Sequence, residues 1–188
     1  MTLQEIRKEI DAIDPQIREL LMKRLDCSAA VADAKIASGD LTIFRADREE
    51  AILKRLGEGV PEERLPGYLS VVRKIMETSR MYQYGLMYDK LPDPFGPLAK
   101  ELVIPADCRH IRVLLTRQNK PNALAQVLSM IADYGYDLEE IAQTGGDASS
   151  ETVTFQVQIR GDLNETHMKK LMFQLAAETQ DFRIVSCE

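Results

Sequence analysis

The spacing of hydrophobic residues changes once along this chain, and the change divides the sequence into two parts. Up to about residue 88, apolar residues recur every three or four positions, which is the period of an amphipathic α-helix. From residue 110 onward they alternate or form short apolar runs, which is typical of strands. A proline-rich segment separates the two parts. We therefore expect a helical domain at 1–90, a stiff linker at 91–108 and a second domain at 109–188.

The first part predicts an all-α domain of three helices. They are expected at 3–38, at about 46–56, and from Pro61 or Pro66 to about residue 88. Pro15 allows two interpretations of the first helix: with Asp14 it could cap a fresh helix, or it could kink a single one. The apolar stripe continues in phase through Pro15, which favours a single kinked helix. So long an amphipathic helix cannot be covered by this short chain alone, so we expect an intertwined helical dimer.

The second part predicts the element order βαββαβ, which is the ferredoxin-like α+β arrangement. Strands are expected at 110–115, 136–144, 152–159 and 182–187, and helices at 121–134 and 164–179. Pro121 would open the first of these helices and Gly135 would close it.

Charge and hydropathy argue against several classes of protein. The net charge is −6, and the acidic excess lies in the second part, so we expect no nucleic-acid partner. No apolar run reaches the roughly 20 residues that span a bilayer, and the N-terminus lacks the layout of a secretory signal. We therefore expect no membrane partner.

The cysteines and histidines indicate neither a disulfide framework nor a metal site. Cys27, Cys108 and Cys187 show no CxxC spacing and, being odd in number, cannot all pair within one chain. We expect reduced thiols in a cytoplasmic protein. His110 and His167 have no second His or Cys at ligand spacing, so we expect no metal and no cofactor.

Several polar residues lie where the helical pattern calls for packing. Arg24 and Lys35 are eleven residues apart, so they point within about 20° of each other on the first helix. Ser79 and Gln83 form an i, i+4 pair within the apolar stripe of the third helix. Such cations could lie at the edge of the core with their charges in water. Together with a charged pair at the start of the second helix, they predict a pocket for a small molecule with several carboxylates.

These residues lie in segments that resemble the all-helical class of chorismate mutases. The resemblance covers residues 3 to about 88. Its carrying segments are 6–14, 20–24, 31–35, 47–50 and 52–53, with Ser79 and Gln83. It implies an isomerase that converts chorismate to prephenate in aromatic amino acid biosynthesis.

The resemblance also implies a role for each polar residue. Arg24, and Arg7 from the other subunit of a homodimer, would bind the two carboxylates of chorismate. Arg7 lies roughly 100° away from the line of Arg24 on the same helix, which suits a contact to a partner's site. Lys35 and Gln83 would donate hydrogen bonds to the ether oxygen of the breaking bond.

The second helix would complete the site. Glu49 would bind the ring hydroxyl, and Arg48 and Ser79 would support the site. Arg45 stands where many family members carry an aspartate. There are two alternatives: an isochorismate-pyruvate lyase on the same scaffold, and a non-catalytic partner of another enzyme of the pathway. Glu49 and Ser79 favour the mutase.

The second part resembles the ACT family of amino-acid-binding regulators, over residues 109–187. The resemblance is carried by 119–124 and 131–141, and is greatest to the regulatory domain of prephenate dehydratases. It implies binding of phenylalanine or another amino acid, and a purely structural, dimer-forming domain is the alternative. The candidate regulatory residues are Asn119, Asn122, Ala123 and Leu124. Asn122 stands where a glycine is usual, and 142–145 departs from the expected Glu-Ser-Arg-Pro run. The linker is too short to hold a dehydratase domain.

Overall fold

The computed structural model describes residues 1–100 and 102–188, and Glu101, inside the expected linker, lies outside the described residues. Three helices form what we call the helical unit: α1 (Leu3–Ser38), α2 (Ala46–Gly57) and α3 (Leu65–Lys90). A short 3-10 helix follows at Gly96–Leu98. The sheet unit then comprises β1 (His110–Gln118), α4 (Ala123–Asp133), β2 (Asp137–Gly145), β3 (Thr152–Arg160), α5 (Thr166–Glu178) and β4 (Gln180–Cys187).

Helix α1 is a single helix that contains Pro15, so the prediction of one continuous element is confirmed. Thr2 and Glu5 start it with a capping box: the Thr2 hydroxyl accepts from the Glu5 amide at 3.3 Å, and the Glu5 carboxylate accepts from the Thr2 amide at 2.7 Å. Gly39 ends it in the left-handed region, at φ 74°.

The first half of α1 presents an apolar stripe to solvent. Its members are between 39% and 66% exposed: Leu3, Ile6, Ile10, Ile13, Ile17 and Leu20. Only Ser28 and Ala32, in the second half of the helix, are buried against the rest of the chain. A contiguous exposed stripe of this kind is typical of a surface that binds a partner.

The sheet unit has the predicted ferredoxin-like fold. Its four antiparallel strands lie in the order β2-β3-β1-β4. Alternate residues of the central strands are buried, as the two-residue period of a strand requires. They pack against the buried faces of α4 and α5; the core includes Ile111, Val113, Val157, Ile159, Val127, Ile131, Leu171 and Leu175.

Helix α4 begins two residues later than expected. Asn122, and not Pro121, precedes its first turn, and Asn122 has a positive φ of 69°. Asparagine is one of the few residues besides glycine that adopt this conformation readily. This explains why asparagine can stand at a position where glycine is usual.

The expectation that all three cysteines are reduced thiols is wrong for two of them. Cys108 and Cys187 form a disulfide, with their Cα atoms 5.7 Å apart. The pair forms because β4 lies beside β1, so a residue just before β1 meets the end of β4. Cys27 is a free, exposed cysteine. The disulfide removes one of the grounds for expecting a cytoplasmic location.

Helix α3 joins the two units by packing against α4 and α5. Lys74 of α3 pairs with Asp133 at 2.5 Å, and Lys170 of α5 pairs with Asp89 at 2.7 Å. Phe173 of α5 makes edge-on contacts with two tyrosines of α3, with ring centroids 5.9 and 6.1 Å apart. Residues of the expected linker, including Phe95, also belong to the core of the sheet unit. Over the described ranges, none of the helices combines the length and the apolar character that crossing a bilayer requires.

Candidate active site

The three helices of the helical unit enclose a cavity of about 290 Å³, which we call the α1–α3 cavity. Six of the seven residues predicted for the substrate site line it: Arg24, Lys35, Arg48, Glu49, Ser79 and Gln83. The seventh, Arg7, lies on α1 seventeen residues before Arg24, roughly 25 Å along the helix axis. Within this chain, therefore, the structure brings together all of the predicted site except Arg7.

Arg24 is held by α3 at the side of the cavity. Its Nη1 donates to the hydroxyl of Ser79 and, at 3.3 Å, to the carbonyl of Ile75. Ser79 is only 5% exposed, so its hydroxyl is a fixed acceptor. A guanidinium has five N–H donors, and those not used here are available to a carboxylate.

Lys35 is oriented by the loop that follows α1. Its Nζ donates to Asp40 Oδ2 at 3.0 Å and to the carbonyl of Thr42 at 2.6 Å. The backbone N–H of Thr42, and then Lys35, hold the pKa of the Asp40 carboxyl well below its usual range, so Asp40 is charged at neutral pH. Asp40 also accepts from Arg45 at 2.9 Å. An ammonium has three donors, so two contacts leave one N–H for a ligand.

Gln83 of α3 is buried and lines the cavity. Its Nε2 donates to the backbone carbonyl of Ser79 at 3.1 Å, one turn earlier on the same helix. This bond directs one amide N–H along the helix, and the second N–H is available in the cavity. Gln83 and Lys35 thus supply two donors from different helices to one enclosed space.

Glu49 is the one carboxylate that lines the cavity, among the described residues, and it is bound by a residue that sequence reasoning missed. Arg80 of α3 donates from Nη1 to Glu49 and from Nε to Glu178 of α5, the latter at 3.0 Å. Burial alone lowers the pKa of Arg80, but the carboxylates of Glu178 and Glu49 raise it above its ordinary value, so the guanidinium is charged. The sequence did contain a signal for Arg80: it lies four residues after Met76 on an apolar helix face, and a charged side chain placed there needs a buried partner.

The charges around the cavity favour an anionic ligand. The five cations that line it are Arg24, Lys35, Arg45, Arg48 and Arg80. Because Glu49, Asp40 and Glu178 are three carboxylates against these five cations, they neutralise only part of the charge, and a dianion would bind in a complementary field. No group of three His, Cys, Asp or Glu residues in the described ranges is placed to hold a metal ion.

The four candidate regulatory residues line a second cavity, of about 410 Å³, at the start of α4, which we call the α4 cavity. Asn119 holds the neighbouring loop through its side chain, which donates to the carbonyls of Asp147 at 3.0 Å and Ser150 at 2.9 Å. Ala123 is buried, Leu124 is half-buried, and Asn119 and Asn122 are exposed. The surface of this cavity is thus partly polar and partly apolar.

Residues 6–84 match the protein-family model described as Chorismate mutase type II. No curated protein matches the chain. One similar solved structure is GqqA, described as a novel type of quorum quenching acylase, with 17% identity, a TM-score of 0.41, and 46% of this chain and 44% of that chain covered. Another is a prephenate dehydratase in complex with L-Phe from Arthrobacter aurescens, with 18% identity, a TM-score of 0.38, and coverage of 44% and 28%.

The chain spans less than half the length of either solved structure, and likenesses this weak carry no conclusion about function. The family match is different, because it includes every residue that lines the α1–α3 cavity. Residues 6–84 are therefore a chorismate mutase type II domain, the domain of a family of isomerases.

Proposed function

We propose that this protein is a chorismate mutase that converts chorismate to prephenate in aromatic amino acid biosynthesis. The observation that carries the proposal is the cationic α1–α3 cavity within a chorismate mutase type II domain. Chorismate carries two carboxylates, and the cavity has cations to receive them. Its volume of about 290 Å³ is at the small end of ligand pockets, which suits a compact substrate.

The reaction is a concerted rearrangement that needs no proton transfer and no covalent intermediate. The protein therefore has two tasks: to hold a chair-like conformer and to stabilise the negative charge that grows on the ether oxygen. Lys35 and Gln83 suit the second task because each has an N–H left after its structural hydrogen bonds. Donors fixed in advance need no reorganisation in the transition state.

The remaining residues of the site would bind and orient the substrate. The guanidinium of Arg24, held by Ser79, would bind one carboxylate. Glu49 would accept a hydrogen bond from the ring hydroxyl, and Arg48, exposed at the edge of the cavity, would add positive charge.

We further infer that the active form is a homodimer in which Arg7 of a second copy binds the other carboxylate. The support is the exposed apolar stripe on the first half of α1, which is the part of the helix that carries Arg7. A second copy is the occupant we propose, because a long helix with an uncovered apolar stripe can pack against its own symmetry mate. Pairing would bury the stripe and bring Arg7 to a site that lacks it.

We also propose that the sheet unit is an ACT domain that senses an amino acid, with phenylalanine as the first candidate. The α4 cavity is the proposed effector site, because Asn119, Asn122, Ala123 and Leu124 line it together. We retain the cytoplasm as the proposed location, in keeping with a biosynthetic role.

The proposed function is tested by incubating the purified protein with chorismate and, separately, with isochorismate. Formation of prephenate from chorismate supports the proposal. Release of pyruvate from isochorismate alone would favour the lyase, and no turnover of either compound would favour a non-catalytic partner. Repeating the assay with phenylalanine, tyrosine and tryptophan tests the effector, and a rate unchanged by all three would contradict regulation by these amino acids.

A further inference from the structure

The carboxylate that lines the α1–α3 cavity is linked to the sheet unit by one buried arginine. Glu49, Arg80 and Glu178 form a row in which Arg80 bonds both carboxylates. The side chains become less exposed along the row, at 24% for Glu49, 7% for Arg80 and 2% for Glu178. Arg80 thus connects the cavity to α5.

The far end of the row is held firmly by the sheet unit. Gln174, one turn earlier on α5, donates to Glu178 Oε1 at 2.9 Å and accepts from the hydroxyl of Tyr134 at 3.1 Å. Arg117 at the end of β1 donates to the backbone carbonyl of Glu178. Gln174 thus holds the carboxylate of Glu178 and Arg117 holds its backbone, and a fixed carboxylate can in turn fix the guanidinium that it binds.

The loop before α2 closes over the arginine. The ring of Phe44 lies 4.9 Å from the guanidinium carbon of Arg80, and the Phe44 amide donates to the hydroxyl of Tyr84 at 3.3 Å. This stacking places an aromatic ring against the guanidinium of Arg80, which is buried. The guanidinium therefore has little freedom except to bridge the two carboxylates.

We propose that the sheet unit completes the active site: Glu178 holds Arg80, and Arg80 positions Glu49 toward the substrate. Arg80 is a positioning residue, since it acts through Glu49. The role of Glu49 at the ring hydroxyl rests on the proposed function. Burial raises the pKa of Glu178, and the ion pair with Arg80 opposes this rise, so the carboxylate balances part of the charge of Arg80. Without that balance, the guanidinium would be drawn further onto the partly exposed Glu49 and would withdraw it from the ligand.

Two substitutions of Glu178 in the full-length protein separate the effect of its charge from the effect of its side-chain length. Glu178→Gln keeps the side-chain length and removes the charge, and Glu178→Asp keeps the charge and shortens the side chain. We expect each to raise KM for chorismate by about tenfold with a smaller effect on kcat, because a binding contact is misplaced. The matched control is Asp89→Asn, which breaks the ion pair with Lys170 between the same two helices and should leave KM unchanged.

A double variant makes the test independent of folding defects. Arg80→Met with Glu178→Gln removes both charges of the Arg80–Glu178 ion pair together, so that neither of the two is left buried without the other. We expect its KM to equal that of Arg80→Met alone, since Glu178 acts only through Arg80. If the KM of the double variant instead rises by the product of the two single effects, the proposal is overturned. A normal KM in both Glu178 variants, with only a lowered Tm, would likewise overturn it in favour of a purely structural ion pair.

A spectroscopic measurement separates this proposal from the proposed function. The carboxyl 13C resonance of Glu49 can be assigned by its loss in Glu49→Gln and then followed in Glu178→Gln and Asp89→Asn. A change in this resonance in Glu178→Gln, with none in Asp89→Asn, supports the link between Glu178 and Glu49. An unchanged resonance in Glu178→Gln overturns it, whether or not the protein turns over chorismate. An inactive wild-type protein would count against the mutase assignment alone.

Discussion

Lys35 Nζ lies 3.0 Å from Asp40 Oδ2, so the catalytic ammonium that we propose is already oriented by the loop that follows α1. The same loop supplies the carbonyl of Thr42 as a second acceptor, at 2.6 Å. Orientation before the substrate arrives is what electrostatic stabilisation of a transition state requires. The loop is therefore part of the site even though it was not among the predicted site residues.

Replacing Lys35 should remove most of the activity and leave the fold intact. Lys35→Ala deletes one of two donors to the ether oxygen, and the loss of such a donor lowers kcat by roughly 10²–10³. Steady-state turnover of chorismate and circular dichroism measure the two effects. Lys23→Ala on the same helix removes a solvent-exposed pair with Glu19 and should change neither. A near-normal kcat in Lys35→Ala would contradict its assigned role.

Two inactive variants should restore activity to each other if Arg7 acts across a dimer interface. In a mixed dimer of Arg7→Ala and Lys35→Ala, one of the two sites has both residues intact. Random exchange of subunits should therefore return about a quarter of the wild-type rate. The measurement is turnover after the two variants are mixed under conditions that allow exchange. A mixture as inactive as its components would exclude Arg7 as a residue contributed by the partner.

Removing the disulfide should destabilise the protein. Cys108 and Cys187 are 79 residues apart, and a disulfide typically stabilises a protein by about 2–4 kcal/mol, more for longer loops. Replacing both by alanine should lower the free energy of unfolding in urea by that amount. Dithiothreitol should destabilise the wild type similarly and leave the double variant unchanged. Cys27→Ser serves as the control, and equal stability of wild type and double variant would show that the bond contributes nothing.

Stability should depend on acidic pH through Glu139. Hydrogen bonds from His110, Gln158 and Arg160 lower the pKa of Glu139 from 4.5 to about 2. A carboxyl with a lowered pKa stabilises the folded state above its ordinary pKa, and this contribution is lost as the pH falls through the folded value. The Tm difference between wild type and Glu139→Gln should therefore be full above about pH 4.5 and shrink toward pH 2. A difference that does not change over this window would contradict the prediction.

Most elements of the fold follow from local sequence patterns. The three-to-four residue period predicted α1 at 3–38, and the structure has the same bounds. Strand β1 runs three residues beyond the predicted end because its pairing with β3 continues to Gln118. Helix α4 begins at Ala123 because the positive φ of Asn122 cannot belong to a helix. Such differences at element ends are set by pairing and by single backbone angles, which an apolar pattern does not encode.

The α1–α3 cavity was less completely predictable. Residues on one helix face, such as Arg24 and Lys35, could be grouped from their spacing alone, and both line the cavity. Arg80 could not be assigned in this way, because its role depends on Glu178, which is 98 residues further along the chain. The place of Arg7 depends on a second copy of the chain and stays a prediction.

By itself, the sequence determined the types and order of the elements and the polar residues of the helical unit, because period, capping and helix faces are local properties. Tertiary structure decided which surfaces meet. It placed β4 beside β1, which joins Cys108 to Cys187, and it packed α3 on α5, which buries Arg80 between two carboxylates. These contacts join segments far apart in the chain, and their energy depends on burial and geometry that exist only once the units have packed together.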